Sequence, residues 1–211
     1  MPGGTAWLIA VLILILFGWG DTFLKSWRLS RRAAVWGLAL WVAASLWNIT
    51  IADQPSLLVI NAGGAILPLM LFVWFAASRL DKRLLPKIFM ATAGGSVLLL
   101  WGMELIPQLQ LSLLALPPGY IYGLASTTLA WGMVQDDKAR FWTSVLSVVI
   151  ADGARFLLLA LHPDGTVGWW GGNITFDSLV AAGLSAVLVE QVQSWLKLRI
   201  WIGHDRVGDP T

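Results

Sequence analysis

The amino-acid sequence predicts an all-α protein, a polytopic membrane helix bundle with seven transmembrane helices. Three observations lead there. Of the 211 residues, 57% are hydrophobic and only 12% are charged, about half the charge of an ordinary soluble domain. Seven apolar windows approach the roughly 20 residues that a spanning helix needs. The connections between them alternate in charge. With a mean hydropathy of +0.73, the excess apolar surface requires lipid to cover it.

The windows run 6–24, 33–52, 56–78, 85–105, 109–134, 140–161 and 173–195. The first carries no basic residues ahead of it and ends in Trp19-Gly20-Asp21, so it reads as a membrane helix and not as a cleaved signal. Lys25, Arg28, Arg31 and Arg32 follow it. The second connection has only Asp53, and the third has Arg79, Lys82, Arg83 and Lys87. The fourth has Glu104 and no base, and the fifth has Lys138 and Arg140 beside Asp136 and Asp137. His162 and Asp164 mark the sixth, and Lys197, Arg199 and Arg206 follow the last window. The positive-inside rule then predicts the N-terminus outside and the C-terminus cytoplasmic. Residues 1–200 read as a single transmembrane helical domain and 201–211 as a short cytoplasmic tail.

Fourteen tryptophans fit interfacial belts. Trp7, Trp101, Trp169 and Trp170 fall at predicted outer ends, and Trp27, Trp74, Trp131, Trp142 and Trp195 at inner ends. Small residues recur inside the windows, with Ala62-Gly63-Gly64-Ala65 echoed by Ala93-Gly94-Gly95-Ser96. Such residues permit close helix approach, and a faint inverted repeat is the alternative. Pro117-Pro118-Gly119 should break the fifth helix, because proline lacks the N–H and clashes with the preceding turn.

Polar residues inside the windows define the candidate site. A bare carboxylate in hydrocarbon costs about 2.5 to 3.5 kcal/mol on insertion scales, so Asp152 and Asp177 each require a partner, a cavity or water. Depth counted along the windows places Asp152, Asp177, Asn61 and Thr175 in the outer half, while the inner half reads as apolar residues plus tryptophan. Arg155, at i+3 from Asp152, is spaced to pair with it. The alternatives are a self-neutralised Asp152–Arg155 lock and, for Asp177, a helix cap. Asn48-Ile49-Thr50 and Asn173-Ile174-Thr175 match the glycosylation pattern, which is weak here. His162 and His204 read as isolated and solvated, and Glu190, near the inner end of the last window, can snorkel or pair with Lys197.

Zero cysteines exclude disulfides, thiolate metal sites and cysteine nucleophiles. A net charge of +2 argues for no nucleic-acid partner. Neither phosphate loop, metalloprotease motif nor nucleophile elbow is present, and no cofactor is expected. The identity of any metal stays open.

Three segments together resemble a family of uncharacterised prokaryotic multi-pass membrane proteins, a domain of unknown function. Its pattern has N-x-G-G-x-x-x-P on one helix, a small residue and Asp on a later one, and G-G-x-x-T-F-D opening the last. Here these are Asn61 to Pro68 (with Gly63 and Gly64), Ala151-Asp152, and Gly171 to Asp177. Ala151, Asn173, Ile174 and Ser178 depart from the pattern. The resemblance implies a multi-pass protein of the prokaryotic cytoplasmic membrane and groups Asn61, Asp152 and Asp177; it supplies no activity.

Three functions compete on these residues. The first is an outward-opening polar site that binds or transports a small solute or cation through Asn61, Gly63, Gly64, Asp152, Arg155, Thr175 and Asp177. The second is a non-catalytic envelope assembly or scaffold protein, with a membrane-protein partner or a second copy against its membrane faces. The third is a di-aspartyl intramembrane protease using Asp152 and Asp177, which would be the only enzyme among them.

Overall fold

A computed structural model describes residues 3–18, 21–53, 57–78, 80–108, 117–161 and 167–205. Helix α1 (Gly3–Leu16) is followed by a short α2 (Asp21–Ser26) and by α3 (Arg31–Ser45), whose first turn is capped by the Ser30 hydroxyl. Strands β1 (Asn48–Ala52) and β2 (Leu57–Asn61) come next. A π-turn, Ala62–Ile66, then leads into α4 (Leu67–Ser78). Helices α5 (Leu85–Gln108), α6 (Pro118–Met133) and α7 (Asp137–Leu161) precede β3 (Val167–Trp170) and α8 (Asn173–Asp205).

The molecule is mainly helical, but it is not all-α. Strand β2 pairs antiparallel with β1 and parallel with β3, in the order β1-β2-β3. The windows 33–52 and 56–78, expected as unbroken helices, therefore end and begin in strand. The cause is local: Ile49, Thr50, Ile51, Val59 and Ile60 are β-branched, and such side chains pack well on a pleated surface.

Three helical stretches are long and apolar enough to cross a membrane: Lys82–Gly102, Asp137–Leu161 and Asn173–Gln193. The remaining windows hold shorter helices among the described residues. In the fifth window the described helix starts at Pro118, with Pro117 as its cap residue. A proline is well placed there, because the first helical N–H has no intrahelical acceptor to lose. Residues 109–116, which the same window includes, lie outside the described residues. So do His162 and the side chains of Glu104, Trp195 and His204. Helix α8 continues to Asp205, past the expected domain boundary at residue 200.

Helix α7 is the centre of the bundle. Its residues from Ala139 to Phe156 are largely buried, against α5, α6 and α8. At one end, Trp27, Phe72, Phe75, Leu80, Ile88, Val134 and Trp142 form a single apolar cluster. That cluster gathers the first, third and fifth connections. The sheet joins the second and sixth connections. Trp27 and Trp142 are thus core residues, only 5% and 6% exposed, and not members of a lipid-facing belt. Trp7, Trp74, Trp101, Trp131 and Trp169 are at least 44% exposed.

Candidate functional site

The three segments singled out in the sequence touch one another at the sheet end of the bundle. Asn61 closes β2 and caps the π-turn: its Oδ1 accepts the Gly64 N–H at 2.8 Å. Its Nδ2 donates to the Ser45 carbonyl and to Asn48 Oδ1, both at 2.8 Å. This buried amide ties α3, β1 and the π-turn together. The Gly63 carbonyl accepts from Trp41 Nε1 at 2.9 Å. A side chain at Gly63 would come within 2.5 Å of the Ser45 nitrogen, so only glycine lets α3 lie this close.

Gly64 is pressed against Gly171, and a Cβ on Gly64 would overlap the Gly171 carbonyl oxygen. Gly171 itself has φ +76°, a left-handed conformation that glycine adopts without penalty. That conformation turns its N–H onto Asp152 Oδ2 at 2.7 Å. The Thr175 hydroxyl lies beside the same carboxylate. Asp152 is 7% exposed. Next to it, Trp170 donates from Nε1 to the Val149 carbonyl at 3.0 Å and covers Gly153, where a Cβ would stand 2.9 Å from the indole ring.

Asp177 belongs to a second junction. It accepts the N–H of Gly4 at the start of α1, where a carboxylate is favoured by the helix dipole. Gly119, at the start of α6, packs against its Cβ. Thr175 and Asp177 are two positions apart, about 200° around an α-helix, so Asp177 turns away from the side of α8 that meets Asp152.

The structure thus brings Asn61, Gly63, Gly64, Asp152 and Thr175 together and leaves Asp177 at a different contact. The expected Asp152–Arg155 pair is not formed. Arg155 is exposed, and among the described residues no ion pair joins it to Asp152. Drawing the guanidinium inward would strip its hydration, and a backbone N–H already meets the carboxylate. No group of three or more His, Asp or Glu suited to a metal occurs among the described residues.

The part of the bundle away from the sheet, expected from the sequence to be the apolar inner half, is more polar than its sequence suggested. Ser126 donates to the Ser144 carbonyl at 2.6 Å, and the Thr127 hydroxyl bonds those of Ser144 and Ser185 at 2.9 and 2.7 Å. Ser96 donates to the Ser147 carbonyl at 3.2 Å, joining α5 to α7. The signal was the spacing of Ser144 and Ser147 at i and i+3 on α7. Hydroxyls barely lower hydropathy, so window averages pass over them.

No family model, curated protein or solved structure matches the chain. The resemblance drawn from the three segments therefore stands on those residues alone. The structure adds that the three are in mutual contact: Asn61 caps Gly64, Gly64 packs on Gly171, and Gly171 donates to Asp152. The two glycine pairs, by contrast, are not alike. Gly63-Gly64 lies in a π-turn and Gly94-Gly95 inside α5, which leaves the repeat without a shared conformation.

Proposed function

We propose that this is a seven-span integral membrane protein of the prokaryotic cytoplasmic membrane, with its N-terminus outside and its C-terminus cytoplasmic. Its role is that of a non-catalytic assembly or scaffold protein, its partners lipid and a second membrane-embedded chain. One observation carries the scaffold reading. The two aspartates singled out in the apolar segments are each taken by a backbone N–H at a tight junction, Asp152 by Gly171 and Asp177 by Gly4. Both act as fasteners between elements. The orientation draws support from the sides on which connections gather: the basic first, third and fifth at the aromatic cluster, the non-basic second and sixth at the sheet.

The test is thermal unfolding of purified protein in detergent across a panel of mono- and divalent cations and small solutes. The scaffold reading expects a flat response in the wild type and a ligand-independent fall in Tm for Asp152→Asn. A second reading, an outward-facing cation or solute site, draws on the buried Asp152 carboxylate with the Thr175 hydroxyl beside it, both hard oxygen ligands. That reading leads if one solute raises the wild-type Tm saturably and Asp152→Asn abolishes the rise. The di-aspartyl protease reading has no such support. It needs two carboxylates close enough to share a proton, and Asp177 faces α1 instead.

A further inference from the structure

Strand β1 is an edge. In the order β1-β2-β3, no strand among the described residues pairs with its second side. Edge strands are ordinarily guarded by charge, proline or a bulge. Asn48–Ala52 carries no charge and no proline, and its irregularity lies beyond Thr50, between Thr50 and Ala52. We propose that β1 pairs antiparallel with β1 of a second copy, about a two-fold axis at Ile49. The proposal rests on the membrane reading above and names the second membrane-embedded chain as another copy of this one.

The ladder decides which backbone groups are free. The Ala62 N–H donates to the Trp47 carbonyl at 2.9 Å, and Ile49 lies opposite Ile60. Antiparallel ladders alternate, so Trp47 and Ile49 turn their backbone groups toward β2, while Asn48 and Thr50 turn theirs away. With the axis at Ile49, Asn48 meets Thr50 of the second copy, and Thr50 meets its Asn48. Each pair exchanges N–H and C=O both ways, and every group used lies ahead of the irregularity.

The side chains are self-complementary in the same register. From Trp47 to Ile51 apolar and polar residues alternate symmetrically about Ile49. Trp47, Ile49 and Ile51 are 66%, 38% and 57% exposed. Across the axis Ile49 faces its own copy and Trp47 faces Ile51, and pairs of aromatic and β-branched residues stabilise sheets. No charge opposes a like charge, as an isologous contact requires. Lipid adds the drive. These side chains draw the edge toward hydrocarbon, where unpaired backbone groups are not tolerated.

The experiment is cross-linking of single-cysteine variants of the full chain in native membranes, with copper–phenanthroline as oxidant. The chain has no cysteine of its own. Ile49→Cys brings two α-carbons to about 4.5 Å across the axis, within disulfide reach, and should give a covalent dimer. Thr50→Cys falls on the diagonal, at about 7–8 Å, and should link about tenfold less. Thr50→Pro removes a donor that does not serve β2. Added to Ile49→Cys, it should cut the dimer yield about tenfold, the effect of losing the Thr50 hydrogen bond in each copy. Should it fold poorly, Thr50→Lys, which places a charge on the edge, should do the same. Four results overturn the proposal: no dimer from Ile49→Cys, equal linking at Ile49 and Thr50, equal linking through Val167→Cys on β3, or an unchanged yield in both Thr50 variants. The underlying readings are scored apart. Release of the wild type by alkaline carbonate would sink the membrane reading itself. A chain that stays inserted, keeps the flat thermal response and fails to link overturns the pairing alone.

Discussion

At the scale of single residues, the structure replaces a charge argument with a backbone argument. The carboxylate of Asp152 serves Gly171, a residue whose left-handed φ is itself needed for contact with Gly64. Gly64→Ala should therefore be among the most damaging conservative changes in the chain. Its Cβ would meet backbone, which cannot rotate away, and overpacking of this kind costs about 1–3 kcal/mol or more. A fall in Tm of the purified protein checks this, and Gly132→Ala, where a Cβ has open space, is the matched control. Asp152→Asn keeps an oxygen for the Gly171 N–H and should cost little more than about 1 kcal/mol, whereas Asp152→Leu strands that N–H and should cost about 1–3 kcal/mol. Equal damage from the two would mean that the charge matters beyond this hydrogen bond.

Among the elements, apolar windows located the long helices but hid the sheet. Leu57-Leu58-Val59-Ile60 is a short unbroken apolar run, and a buried strand and a helix segment look alike at that length. The β-branched content of 49–51 and 59–60 was the available signal, outweighed by the expectation that membrane segments are helical. The parallel partner of β2, strand β3, lies more than 100 residues away in sequence, and no local pattern reports such a pairing. The candidate site was half legible for the same reason. Asn61, Gly63, Gly64, Asp152 and Thr175 were visible as polar or small residues in apolar company. That Asp177 would face α1 depends on Gly4, 173 residues distant. Strand order gives a direct test. Val59→Pro in the central strand removes an N–H from the ladder and should sharply lower the yield of folded protein, while Ile49→Pro on edge strand β1 should be tolerated better. The reverse ranking, by size-exclusion profile, would contradict the β1-β2-β3 order.

For the whole molecule, the proposed topology turns on parity: how many segments would cross a bilayer between one connection and the next. Ala62–Ser78 is the critical case. This apolar helix rises about 25 Å at 1.5 Å per residue, less than the ~30 Å hydrocarbon core, and it begins in a π-turn packed against Gly171. Its ends nonetheless differ in company. Its start joins the sheet, and Phe72, Phe75 and the nearby Leu80 enter the aromatic cluster with Trp27 and Trp142. Strand β2 precedes it and extends the reach of the segment, and a short span is accommodated by local thinning of the bilayer. Single cysteines placed in this cysteine-free chain decide the matter. Asp53→Cys, ahead of the segment, should react with a membrane-impermeant maleimide only from outside, and Arg83→Cys, beyond it, only from the cytoplasmic side. Labelling of both from one side would make 56–78 a re-entrant element. The proposed orientation of all later helices would then invert.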